Sequence, residues 1–164
     1  NKKDAVDTTG IDEVDFLIRT NKGEALKSLT KTASGGEISR IMLAFKEIFA
    51  DFDNVDTMIF DEIDTGISGR TAQIVGEKIL DLSKRRQVIS ISHLPQIASL
   101  ASNHILISKR DVGDYTISST EKIEEDNRTN EIARLIGGVN ITGITINSAS
   151  EMLTMAEELR NERR

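Results

Sequence analysis

An α/β fold with a mostly parallel sheet, flanking helices and one β-hairpin is predicted by three observations. Apolar runs of strand length alternate with segments of helical period along the chain. Two of the runs, residues 58–60 and 88–92, read as strands buried in a parallel sheet. Each ends in distinctive polar residues, Asp61-Glu62 and Ser92-His93, at the strand end where such sheets place ligands. The 164 residues suit a single domain spanning 1–164.

Residues 14–19 predict a short strand with Val14, Phe16 and Ile18 on one face. Residues 29–33 form the approach to a loop. An amphipathic helix follows, with Ile38, Ile41, Met42, Phe45, Ile48, Phe49 and Phe52 at helical spacing and facing inward. After the 58–60 strand, a second helix begins beyond Gly69 and turns Ala72, Val75, Ile79 and Leu82 inward. Leu94-Pro95 opens a short helix after the 88–92 strand, since proline is tolerated in a first turn. Residues 105–107 and 115–123 flank Asp111-Val112-Gly113-Asp114, a hairpin turn. Residues 131–136 predict a helix that stops at Gly137-Gly138. Ser148-Ala149-Ser150-Glu151 has capping-box spacing and predicts the start of a last helix, with Met152, Leu153, Ala156 and Leu159 along one stripe.

Composition narrows the function classes. The chain is 38% hydrophobic, enough for one core, and has no apolar run long enough to span a membrane. It lacks cysteine, which excludes disulfides, thiolate metal sites and thiol nucleophiles. The net charge of −6 and 4% aromatic content argue against a DNA-gripping face or a base-stacking platform. The basic clusters, Lys84-Arg85-Arg86 and Arg160 with Arg163 and Arg164, read as solvated surface. The chain begins at Asn1 rather than Met, and the expectation is a piece of a longer protein.

Three constellations carry chemistry. In Ala33-Ser34-Gly35-Gly36-Glu37, two glycines sit where a loop becomes a helix. Their N–H groups are free to approach an anion closely, and the helix N-terminus favours negative charge. The same spacing fits a capping box between Ser34 and Glu37, so a purely structural role stands beside phosphate binding. Asp61 and Glu62 follow the 58–60 strand; the first suits Mg²⁺ beside a nucleotide, and the second suits polarising an attacking water. The alternative is an acidic pair that opens a loop. His93 sits between a strand and a helix N-terminus, which favours a neutral ring donating one hydrogen bond, with a phosphate oxygen as natural acceptor. A structural histidine is the alternative, and His104 is read that way.

Glycine loop, helix, strand with Asp-Glu, helix, strand with His is the running order of the C-terminal half of an ABC-type ATPase head, a P-loop NTPase fold. Ser34-Gly35-Gly36-Glu37 resembles the signature loop, and residues 58–62 resemble Walker B with its catalytic glutamate. Residues 63–69 resemble the D-loop region centred on Asp64, and His93 resembles the switch histidine. Finer strings, including residues 33–40, 60–69, 92–98 and 131–138, resemble DNA-repair members of the SMC-like branch. The resemblance runs from about residue 14 to the C-terminus.

The resemblance implies two heads sandwiching two ATP molecules. Asp61 would support Mg²⁺, Glu62 would orient or activate water, and His93 would contact the γ-phosphate. Ser34, Gly35, Gly36 and Glu37 would cap the nucleotide from across the dimer, and Asp64 would couple the two sites. It further implies a bacterial cytoplasmic, nucleoid-associated protein of double-strand-break repair and recombination, with no membrane role. No G-x-x-x-x-G-K-[ST] string occurs in the sequence. The Walker A lobe and the coiled coil are therefore expected in the remainder of the same protein, and this chain alone is expected to be inactive. DNA would be engaged through the intact protein. Competing readings are another SMC-like head, a transporter nucleotide-binding domain, a non-catalytic dimerisation module and a metal nuclease using Asp61 and Glu62.

Overall fold

The computed structural model describes residues 2–8, 10–19, 22–29, 34–49 and 54–163. Ala33 and Phe52 lie outside them. Two short antiparallel pairs come first: β1 (Lys2–Asp7) with β2 (Gly10–Asp12), and β3 (Leu17–Ile18) with β4 (Lys27–Ser28). Then follow α1 (Gly35–Ile48), β5 (Thr57–Phe60), α2 (Gly69–Ser83), β6 (Gln87–Ser90) and the one-turn α3 (Pro95–Ala98). The chain closes with β7 (His104–Val112), β8 (Tyr115–Ile123), α4 (Glu125–Gly137) and α5 (Gly143–Glu162).

The fold is α/β, but the parallel component is smaller than the sequence predicts. Strands β5 and β6 pair in parallel from Thr57 opposite Gln87 to Phe60 opposite Ser90. The other three ladders among the described residues are antiparallel. Helices cover one face of the parallel pair only. Met58 and Phe60 are buried on that face, while Ile59, Ile89 and Ile91 are exposed on the other. The expectation of strands buried on both faces therefore holds for one face.

Among the described residues, three small buried clusters replace the expected single core. The largest joins Leu43 of α1, Met58 and Phe60 of β5, Ile63, Val75 and Leu82 of α2, and Ile97 of α3. A second unites Leu80, Leu100 and Ala156; the third packs Ile132 and Ala133 of α4 against Ala149 of α5. The accessible surface is 11751 Å², well above the roughly 8,100 Å² expected of a compact monomer of this mass. Many large apolar side chains are exposed.

Helix α1 shows why. Ile38, Met42, Phe45, Ile48 and Phe49, predicted to face inward, are exposed. Phe45 packs edge-on to Phe16 at 6.2 Å and stacks on Phe49 at 6.4 Å between ring centroids. The face that packs is Gly36, Arg40 and Leu43, at i, i+4 and i+7. Glu47 extends it through a 2.6 Å ion pair with Lys78 of α2. The strand predicted at 14–19 shrinks to Leu17–Ile18, with Val14 and Phe16 exposed.

The C-terminal region matches the expected hairpin and helix stop. Gly113 in the turn and Gly138 after α4 have positive φ, 60° and 69°, where a Cβ would be strained. The last helix starts earlier than predicted. Thr142 caps it, and Thr142 and Thr145 exchange backbone-to-hydroxyl bonds at 2.8 and 3.3 Å, so residues 148–151 lie inside the helix. The tail arginines Arg160 and Arg163 are not solvated ornaments, and Arg164 lies outside the described residues. Arg163 bridges Glu77 and Asp81 of α2 at 2.9 and 3.0 Å. Arg128 and Arg160 both donate to the carbonyls of Ser99 and Ala101, just past α3. No helix among the described residues is long and apolar enough to cross a membrane.

His104, at the base of the hairpin, has a buried Nδ1 without a hydrogen-bond partner. Burial, seconded by the Arg128 charge, holds its pKa below the ordinary value of 6.5. The unfolded chain then takes up this proton first. The contribution of His104 to stability is complete above the ordinary value and is lost as pH falls through the depressed one. Urea midpoints at pH 7.5 and 5.5 test this: His104→Asn should narrow the drop between them, and an unchanged drop would exclude His104 as its source.

Candidate functional site

The site forms where two neighbouring parallel strands end. Strand β5 delivers Asp61 and Glu62, and β6 delivers Ser92 and His93. The ladder continues one step past β6, with Ile91 N–H donating to Phe60 O at 2.9 Å. The two polar pairs therefore emerge side by side at the carboxyl edge of the sheet, the usual ligand edge of an open α/β sheet.

Asp64 holds this edge together. It is 3% exposed, and its Oδ2 accepts from Ser92 Oγ at 2.7 Å and from His93 N–H at 2.8 Å. The His93 ring turns its Nδ1 to within 3.0 Å of the same oxygen while remaining 73% exposed. Two acceptors do not rest this close without a proton between them, so Nδ1 carries one. Nε2 is then the nitrogen left to meet a ligand. A neutral ring presents a lone pair there, and it donates from Nε2 only when both nitrogens are protonated. The sequence-based picture of a neutral donor relied on a following helix dipole. That helix, α3, is four residues long, and the ring's immediate neighbour is the Asp64 carboxylate.

Glu62 has a φ of +56°, unusual for a residue with a side chain, and it is exposed. Its N–H donates to Asp61 Oδ1 at 3.0 Å, and its carbonyl accepts from Thr65 N–H at 3.0 Å, closing a tight turn. Asp61 is also exposed. Among the described residues, no group of three His, Cys, Asp or Glu side chains is gathered closely enough to hold a metal ion.

The N-terminus of α1 packs against this turn. Ser34 caps the helix by accepting from Glu37 N–H at 3.3 Å, and the Glu37 carboxylate accepts from Ser34 N–H at 2.9 Å. The predicted capping box is thus formed. The first N–H groups of the helix have no intrahelical partner. A Cβ on Gly35 would lie 2.8 Å from Glu62 Oε2, and one on Gly36 would lie 2.9 Å from the carbonyls of Glu62 and Thr65. Absence of a side chain is what lets the helix reach the turn. Ser39 Oγ donates to Asp61 O at 3.0 Å, and Arg40 Nη1 donates to Ile63 O at 3.1 Å and Thr65 O at 2.8 Å.

All the site residues picked from sequence, Ser34, Gly35, Gly36, Glu37, Asp61, Glu62, Asp64 and His93, fall on these adjoining segments. Sequence reasoning did not foresee that the glycine loop touches the acidic turn of its own chain. It also gave no individual role to Ser39, Arg40, Thr65 or Ser92. The available signal was the i, i+4, i+7 line of Gly36, Arg40 and Leu43, outshone by the more apolar stripe beside it.

No family model matches the chain. It is 48% identical over 151 residues to DNA repair protein RecN of Halalkalibacterium halodurans, covering 92% of this chain and 27% of that protein. Identity to the RecN proteins of Bacillus subtilis and Vibrio cholerae is 47% and 40%, over 92% and 90% of the chain and 26% of each relative. The chain thus spans about a quarter of the length of the curated relatives it matches. A solved structure from work on ATP-driven dimerisation and DNA-stimulated activation of SMC ATPases shares the fold. Its TM-score is 0.52 at 23% identity, over 72% of this chain and 70% of that one. The sequence is thus similar to a segment of the RecN proteins, and the fold is similar to that of the SMC ATPase structure.

The close approach at Gly36 sets a clear expectation. Alanine there gains helix propensity but drives a Cβ into two carbonyls that belong to backbone. Gly36→Ala should destabilise by about 1–3 kcal/mol in denaturant titration. Stabilisation by the usual Gly-to-Ala helix gain would mean that α1 does not press on the turn.

Proposed function

We propose that this RecN-like segment is the signature-loop and Walker B lobe of an ABC-type ATPase head, in a protein acting in DNA double-strand-break repair and recombination. The observation that carries the reading is the paired strand ends. Asp61-Glu62 and Ser92-His93 leave adjacent parallel strands and are cross-linked through Asp64. The remainder of the P-loop NTPase sheet, with the Walker A lobe, comes from the rest of the same protein. The bare Ile59, Ile89 and Ile91 face supports this, as does a length one quarter that of the relatives.

In this reading ATP is the substrate. Asp61 offers an exposed hard-oxygen donor, one oxygen of which is steadied by Glu62 N–H. A single protein carboxylate fits Mg²⁺, which habitually takes one or two carboxylates together with nucleotide phosphates. When bound, the ion neutralises charge on the phosphoryl oxygens. Glu62, raised at the turn, orients or activates the attacking water. His93, aimed by Asp64, faces the γ-phosphate with Nε2 and donates to it when that nitrogen carries a proton. Ser34, Gly35, Gly36 and Glu37 cap the nucleotide of a second head in an ATP-dependent homodimer, and Asp64 links the two sites. DNA is engaged by the intact protein.

A second reading, a non-catalytic dimerisation module in which Ser34 and Glu37 serve only as a cap, is favoured by the completed capping box. Ser34→Arg in the intact protein separates the two. ATP hydrolysis collapses if the loop meets nucleotide and persists if it is a cap alone.

The intact protein with Glu62→Gln should still bind ATP but turn over about 10²-fold or more slowly, the usual cost of losing a general base. Near-normal hydrolysis would remove Glu62 from that role. The isolated chain should show no tight Mg·ATP binding by calorimetry, and tight binding would contradict a separate Walker A lobe.

A further inference from the structure

We propose that Arg40 is a positioning residue that joins the nucleotide-capping end of α1 to the hydrolytic turn of its own chain. The proposal deepens the ATPase reading and rests on it. One guanidinium nitrogen, Nη1, donates to the carbonyls of Ile63 and Thr65, which flank Asp64 in sequence. Ser39, next to it on the helix, donates to the carbonyl of Asp61. The helix therefore grips alternate carbonyls at 61, 63 and 65. Bonds from a charged donor are the stronger kind, and both run to backbone, so they constrain the turn itself.

The turn leaves Asp64 little freedom. Its carboxylate is buried, and it fixes Ser92 and His93 through one oxygen. Arg40 holds the peptide groups on either side of that carboxylate, and the carboxylate in turn holds the His93 backbone and ring. A continuous chain of contacts thus runs from the capping helix through Arg40, the turn carbonyls and Asp64 to His93. Gly36 completes it by removing the side chain that would keep helix and turn apart. In a head dimer, Ser34 to Glu37 would face the partner's nucleotide while Glu62 and His93 face their own. Arg40 then transmits the seating of the helix on one nucleotide to the group acting on the other.

The test is steady-state ATPase kinetics on the intact protein carrying Arg40→Ala, Arg40→Lys, Asp64→Asn and the Arg40→Ala/Asp64→Asn pair, beside Glu62→Gln. Arg40→Ala should lower kcat about 10-fold or more while KM for ATP stays within about twofold, because the lost contact positions groups without touching ground-state substrate. Arg40→Lys, which keeps the charge, should recover part of kcat. The double variant should be no slower than Asp64→Asn alone, the mark of two residues acting in one chain. Additive losses, a raised KM with unchanged kcat, or wild-type kcat in Arg40→Ala would each overturn the role of Arg40. If Glu62→Gln is slow in that same experiment, the ATPase reading survives without it. If Glu62→Gln turns over normally, the ATPase reading fails and the proposal fails with it.

Discussion

Burial of one carboxylate governs the geometry of the site. An Asp removed from water is costly unless donors surround it. Asp64 meets that demand with the Ser92 hydroxyl, the His93 N–H and the His93 ring, all on one oxygen. Those donors belong to the strand end next door. Satisfying the charge therefore pulls the 61–65 turn and the 90–94 segment together. The parallel pair is only four residues long, and four registers of backbone bonding alone would leave its two loops free to diverge. The carboxylate ties the turn that carries Glu62 to the segment that carries His93.

What the sequence made legible was period and punctuation. Residues 58–60, the hairpin around Gly113 and the helix stop at Gly138 all appear where spacing and turn chemistry predict them. The Ser34–Glu37 cap forms because its two partners lie within one turn of each other. Order along the chain also placed every candidate site residue on adjoining segments. Such features depend on near neighbours, so a linear pattern suffices to find them.

Misreadings arose where two patterns competed or where distant partners decided. Helix α1 carries an apolar stripe and, rotated from it, the line of Gly36, Arg40 and Leu43. Hydrophobicity singles out the stripe, yet the fold packs the line, because the turn offers carbonyls for Arg40 and room only for glycine. The last helix begins before the predicted cap at residues 148–151: Thr142 and Thr145 cap it, and Ala149, inside the helix, packs against Ile132 of α4. His93 also meets a carboxylate from 29 positions away, a neighbour that order along the chain does not reveal. The bonds that Asp64 and Arg160 make to residues far along the chain have no signature in local spacing.

The two arginines that end on Ser99 and Ala101 have a consequence for robustness. Arg128 comes from α4 and Arg160 from α5, and both anchor the carbonyl end of the short helix that follows His93. Crowding two cations on shared acceptors sets them against each other, and Arg128 has its pKa lowered by burial and by the Arg160 charge. Loss of either one relieves that repulsion while the other keeps its grip. The junction is a doubled latch: cations from two different helices hold the same two carbonyls in the segment behind His93.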